Sequence, residues 1–241
     1  MTTSSELRSG KGAPVLILLL CIVLSYATYL VLPQDLAIAI TREDGFYEDM
    51  TAGLFLLAAV FAFVSFLVAR EGNDFGCCKT SRNIFFILLG VFFFVAFGEE
   101  ISWGQRIFGW QTPAFFARAN WMGETNIHNI NLVKGVSVNR LFSVFWVSYC
   151  VLLPFFNATI SKFARPIEKL NVPVVPLSIG ILFTVNYVLS KVAVLCVSPK
   201  VLLVYRGVYE IKEFNFGALF FGMIMLFFFS ARRHNASRVT T

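Results

Sequence analysis

Long apolar runs recur along the chain, separated by short polar segments. They cover Ala13–Leu32, Met50–Ala69, Asn83–Trp103, Leu141–Phe156, Pro176–Cys196 and Phe214–Ser230. The third is unbroken only to Phe97 and then runs on into polar residues. A helix needs about 20 apolar residues to cross the hydrocarbon core of a bilayer. Continuous runs without strict alternation favour helices over strands. The pattern therefore predicts an all-α fold, a polytopic transmembrane helical bundle of about six spans that forms one integral membrane domain over residues 1–241. Pro33, Pro154, Pro173 and Pro199 fall at or near the ends of these runs, where a missing N–H costs least. There is no fixed-period internal repeat, so a three-plus-three inverted architecture has no support in the sequence.

Composition agrees. Hydrophobic residues make up 57% of the chain and charged residues 14%, against about 45–50% and about 25% in soluble domains. This excludes a soluble globular domain and a disordered chain. The 28 phenylalanines suit helices that face lipid. Of five cysteines, Cys21, Cys150 and Cys196 lie inside apolar runs, and Cys77 and Cys78 are adjacent in a polar stretch. No CxxC or Cys/His spacing supports a disulfide framework or a thiolate zinc site. The vicinal pair reads as plain juxtamembrane thiols, with acylation as the alternative. Arg8 and Lys11 precede the first run, and Ser25-Tyr26-Ala27 resembles a cleavage site. The run continues to Leu32, so an uncleaved first helix is expected rather than a signal peptide.

Charge sets an expected orientation. With the N-terminus inside, the inner segments hold Arg8, Lys11, Arg70, Lys79, Arg82, Lys162, Arg165, Lys169, Arg232, Arg233 and Arg238. Most acids fall in the outer segments. Cytoplasmic loops collect Lys and Arg, which places both termini in the cytoplasm, in a plasma (bacterial inner) membrane. The net charge of +6 then reflects topology and not a nucleic-acid footprint. The expected partners are membrane lipids and, in one reading, another membrane protein, with no nucleic acid.

Three polar clusters fall on the extracytoplasmic side in this topology. The first, Thr41 to Asp49, contains Glu43 and Asp44. Thr41 with Asp44 fits a helix cap, and four acids in seven residues leave room for a functional carboxylate. The second is Gly98-Glu99-Glu100-Ile101-Ser102-Trp103-Gly104-Gln105-Arg106. Ionised acids at membrane depth are costly and usually face a bundle interior or a wet cavity. If the helix continues, Glu99, Ser102 and Arg106 share a face. The alternative is an interfacial helix end with an ion pair and with Trp103 and Trp110 as headgroup anchors. The third is Glu124-Thr125-Asn126-Ile127-His128-Asn129. Thr112-Pro113 starts a short helix through Asn120, and Thr125 starts a second ending at Lys134-Gly135, both expected at the membrane interface. On that second helix Glu124 and His128 face one metal or one proton. Lys191 is the only charge well inside a span, and it either snorkels or neutralises an outer carboxylate. No GxSxG, P-loop, HExxH or Rossmann glycine pattern is present. A divalent metal ion, if there is one, would rest on Glu100, Glu124 and His128, a set of hard ligands.

The second and third clusters together resemble a GEExSWGQR…ETNxHN signature of uncharacterised bacterial multi-pass membrane proteins, over roughly residues 40–135. That resemblance implies a multi-pass membrane fold and no particular activity. The paired Glu99-Glu100 is loosely similar to the glutamate-type intramembrane proteases of the CAAX-processing and bacteriocin-immunity group. Arg106 stands two residues late for that pattern, and the later helices carry no matching His.

The residues favour a membrane-embedded hydrolase or group transferase acting on a lipid-linked substrate. Glu99, Glu100, His128 and Arg106 would be its catalytic set. Glu124, Asn126, Asn129, Ser102, Gln105, Glu43, Asp44 and Lys191 would bind or orient the substrate. The alternatives are an accessory subunit that binds a partner through outer aromatic loops, and a proton-coupled transporter. The transporter expects a polar path through inner half-spans that are Phe, Leu and Val.

Overall fold

The structure is a computed structural model that describes residues 4–68, 74–75, 78–79, 82–120, 123–127, 130–133, 136–196 and 202–239. It is helical apart from two small ribbons. In chain order the elements are α1 (Ser4–Tyr26), α2 (Thr28–Val31), α3 (Gln34–Thr41), α4 (Phe46–Val68), β1 (Asp74–Phe75), β2 (Cys78–Lys79) and α5 (Ile84–Glu100). Then follow α6 (Gln105–Phe108), α7 (Ala114–Ala119), β3 (Asn131–Val133), β4 (Val136–Ser137), α8 (Val138–Trp146), α9 (Leu153–Thr159), α10 (Ser161–Lys169), α11 (Leu177–Cys196) and α12 (Leu202–Val239). Among the described residues, four helical stretches are long and apolar enough to cross a membrane: Gln34–Val68, Val138–Thr159, Leu177–Cys196 and Leu203–Ser230. The first predicted span is a shorter apolar helix, Gly12–Tyr26, and the third is the 17-residue α5. This architecture is compatible with a multi-pass membrane protein.

The caps follow the sequence. Asn83 accepts from the Phe85 N–H at the start of α5, and Ser137 accepts from the Arg140 N–H at the start of α8. Pro154 cannot donate to the helix it occupies, and the turn before it, Val147–Leu152, widens to a π-helix that joins α8 to α9. The carbonyl of Cys150 there lies directly against Gly180 of α11, where any Cβ would collide with it. The last predicted span begins earlier than its apolar run, because the Tyr205–Glu210 stretch before it is also helical. Val204, Gly207, Val208, Ile211 and Asn215 are buried at helical spacing, which anchors this polar-outside segment as the first turns of α12. Gly207 makes room there for the Tyr29 and Thr41 hydroxyls.

The core is aromatic. The Phe220 ring on α12 lies 4.9 Å from Phe183, 5.1 Å from Phe93, 5.9 Å from Phe142, 6.1 Å from Phe145 and 6.3 Å from Phe55, measured between centroids. It therefore ties α12 to α4, α5, α8 and α11. Outside this core, Leu16, Leu24, Leu57, Leu67, Leu88, Ile181, Val188 and Leu195 are exposed, an apolar surface too extensive for a monomer in water. A buried polar knot crosses the apolar interior. Ser25 pairs with Asn215 (3.0 Å), the Tyr26 hydroxyl donates to Asn186 Oδ1 (2.9 Å), and Asn186 Nδ2 donates to the Lys212 carbonyl (3.0 Å). These bonds set the register of α1, α11 and α12.

Alternation of direction brings the end of α1, the start of α4, the ends of α5 and α11 and the starts of α8 and α12 to one end of the bundle. Phe220→Ala should destabilise the protein by about 3 kcal/mol through the cavity it leaves. Phe229→Ala, on an exposed site of the same helix, should change little. Thermal unfolding of both variants in detergent checks this, and equal losses would count against the core described.

Candidate functional site

Glu99 and Glu100 occupy the last turn of α5. The helix dipole is negative at that end and disfavours an acid by about 0.3–1 kcal/mol. Neither carboxylate is therefore placed there for helix stability. The helix does not continue as the spacing suggested. Ser102, Trp103 and Gly104 take φ of +48°, +54° and +83°, a left-handed run that costs about 1–2 kcal/mol at each of the two non-glycine residues. It reverses the chain so that the Trp103 ring folds back over Gly98, where a Cβ would sit 2.9 Å from it.

What holds this strained turn is hydrogen bonding to the loop beyond. The buried Glu99 accepts from Trp103 Nε1 (2.7 Å) at one oxygen and from the Ile127 N–H (2.6 Å) at the other. Ser102 Oγ donates to Glu124 Oε2 (3.0 Å), which also accepts from Asn126 Nδ2 (2.7 Å). Asn126, fully enclosed, accepts from Asn120 Nδ2 (2.7 Å). Gln105 donates to Thr112 Oγ1 (2.7 Å) and accepts from the Thr125 N–H (2.8 Å), and Thr112 Oγ1 donates to the Gly123 carbonyl (2.6 Å). These bonds form a clamp that folds residues 102–120 and 123–127 onto the end of α5.

Beside the clamp lies a cavity of about 450 Å³, within the usual range for small-molecule sites. Its apolar walls are Phe55, Phe92, Phe142, Phe145, Trp146 and Phe216. Toward the clamp it is lined by Glu99, Glu100, Asn139, Tyr209, Lys212 and Glu213. The half-buried Glu100 and the clamped Glu99 stand at this polar end. Lys212 pairs with Glu213 at 3.3 Å and lies 4.6 Å from the Tyr209 ring centre. Val95 and Leu141 line the cavity and are 41% and 52% exposed, so it opens on the apolar flank between α5 and α8.

The remaining sequence-derived candidates divide. Glu43 forms an ion pair with Arg206 at 3.7 Å, away from the cavity. Asp44 sits at φ +59°, and its N–H is capped by Glu48 Oε2 (2.6 Å). The expected Thr41 cap is replaced by this bond, because the Thr41 hydroxyl turns back to the Ala37 carbonyl. Lys191 places its ammonium 5.2 Å from the Tyr187 ring centre and 5.9 Å from that of Tyr209. Arg106 falls in α6. His128 and Asn129 lie outside the described residues. The first expected short helix forms as α7. The second does not form in the described residues: the Thr125 N–H bonds Gln105, the Glu124 and Asn126 side chains bond within the clamp, and β3 and β4 pair downstream. Among the described residues, no group of three or more His, Cys, Asp and Glu is placed to hold one metal ion.

Asn139, Tyr209, Lys212 and Glu213 were not among the expected site residues, since all four precede the apolar runs that marked α8 and α12. Compared with protein-family models, curated proteins and solved structures, the chain finds no match.

Glu99→Gln should release the clamp, since an amide cannot accept from both N–H groups through equivalent charged oxygens. The loss is about 1.5–3 kcal/mol, the worth of a charge-assisted hydrogen bond. Hydrogen exchange at the Ile127 amide should accelerate at least tenfold while the cores of α4 and α12 keep their protection. Unchanged exchange at Ile127 would contradict the clamp.

Proposed function

We propose that the chain is an enzyme of the bacterial inner membrane that hydrolyses, or transfers a group from, a lipid-linked substrate at the extracytoplasmic face. In this reading six segments cross the bilayer, α1 and α5 among them, and both termini are cytoplasmic. α6 and α7 lie in the interface with Trp103 and Trp110 at headgroup level. The observation that supports it is the cavity, whose aromatic walls open sideways on an apolar flank and whose polar end carries two carboxylates. A tail enters from the side, and the bond to be broken comes to rest beside Glu100.

Glu100 is the general base, taking a proton from water or from an acceptor hydroxyl. Both oxygens of Glu99 serve the clamp, so Glu99 positions the loop and does not share the proton. His128 supplies the acid and Arg106 steadies an anionic group, as the spacing of the signature suggests. Ser102, Gln105, Glu124 and Asn126 hold that loop in place.

A second reading has its own support. Ile107, Phe108, Trp110 and Phe115 are exposed together in the loop, a surface that an accessory subunit would offer to a membrane partner. The two readings separate in one experiment. Lipid extracts are compared from a deletion strain complemented with wild type, Glu100→Gln, or the Trp110→Ala/Phe115→Ala pair. Glu100→Gln, present in membranes at the wild-type level, should lower turnover by about 10²–10⁴-fold and leave the same lipid accumulated as the deletion. Full complementation by Glu100→Gln together with failure of the aromatic pair would replace the enzyme with the accessory subunit.

A further inference from the structure

Lys191 is a candidate that neither the clamp nor the cavity wall explains. It sits on α11 in an apolar stretch, exposed, and among the described residues no carboxylate forms an ion pair with it. Its ammonium is not simply extended away from the protein. It lies over two rings, Tyr187 and Tyr209, and both of those rings line the cavity. Tyr209 receives a second cation on the same ring, Lys212, which itself lines the cavity. The Tyr209 hydroxyl is in turn 2.9 Å from the Tyr205 hydroxyl. Two ammonium groups and two phenolic hydroxyls thus gather at the α11–α12 rim of the cavity. The acids near them are accounted for in part: Glu213 is paired with Lys212, and Glu210 neighbours Glu43, Glu48 and Glu213 on the α12 side.

A cation in apolar surroundings without a counter-charge is costly and marks a ligand or ion path. Snorkelling alone would carry the ammonium toward the headgroups and needs no ring beneath it. Stacking on the tyrosines holds the charge at the cavity rim. Ammonium and phenol donors in this arrangement match a group with several anionic oxygens.

We infer that Lys191, with Lys212, Tyr205 and Tyr209, forms a headgroup subsite for a phosphate-bearing amphiphile whose aliphatic tail lies in the aromatic cavity. The inference rests on the proposed lipid-linked substrate and narrows it to an anionic, phosphorylated class. A cavity of about 450 Å³ receives one tail. The phosphate lies at the α11–α12 rim, where the Lys191 and Lys212 ammonium groups offset its charge against the carboxylates at the same polar end.

The test is equilibrium binding to the full chain in phosphatidylcholine nanodiscs. Dodecyl phosphate is compared with dodecyl glucoside, which has the same tail and no charge, and inorganic phosphate is added as a competitor. Three proteins are used: wild type, Lys191→Gln, and Ser143→Trp, which narrows the cavity from an exposed position on α8. Wild type should prefer dodecyl phosphate by about tenfold. Lys191→Gln should lose that preference while still binding dodecyl glucoside as wild type does. Ser143→Trp should weaken both probes. Equal binding of the two probes to wild type, with no effect of Lys191→Gln, would overturn the subsite and leave the cavity reading standing. Full displacement by inorganic phosphate, with no contribution from the tail, would overturn the lipid source in favour of free phosphate. Failure of folded wild type to bind either probe would remove the cavity reading and the subsite with it.

Discussion

The Glu99 carboxylate, held between the indole N–H of Trp103 and the backbone N–H of Ile127, fixes where the helical bundle stops and the loop begins. Around it the helices present little but apolar surface, and in such surroundings a polar group must be satisfied from within the chain. One oxygen is used by the turn that follows α5 and the other by a residue 28 positions along. The left-handed turn at Ser102 and Trp103 would not persist without this over-determination. Everything the clamp carries, from Gln105 and Thr112 to Glu124 and Asn126, depends on that reversal of the chain.

The clamp also separates the roles of two adjacent acids. Glu99 is buried and bound on both sides, while Glu100, about a quarter-turn away on the helix, lines the cavity. A similar economy appears on α12. Asn186 holds the Lys212 carbonyl, so the bond that sets the register of α12 against α11 also sets where Lys212, Tyr209 and Glu213 meet the cavity. The core and the site are therefore not independent, and the aromatic packing around Phe220 forms the floor on which the polar end rests.

Much of this was legible from residue pattern alone. The apolar runs located α4, α5, α8–α9 and α11 to within a few residues, since apolar length survives without tertiary information, while α1 and α12 extend well beyond theirs into polar sequence. The dense polar stretch after Phe97 was recognisable as a constellation. Its geometry was not, because Ser102 and Trp103 adopt positive φ without the glycine that would have announced it. The expected Thr125 helix failed for a related reason: the Thr125 N–H and the side chains of Glu124 and Asn126 are held by long-range bonds to Gln105 and Ser102, which no local pattern records. Lys212 and Glu213 were hidden differently. They belong to helical turns that read as loop until the buried stripe from Val204 to Asn215 is seen against its neighbours.

The central claim is that the cavity beside Glu100 holds one amphiphile. Native mass spectrometry of the protein released directly from its own membrane tests it most directly. One bound lipid-class molecule per chain is expected in the wild type, with its occupancy lost in Ser143→Trp and retained in Glu100→Gln. A wild-type chain free of any bound amphiphile, or a Ser143→Trp chain that keeps the same one, would contradict it.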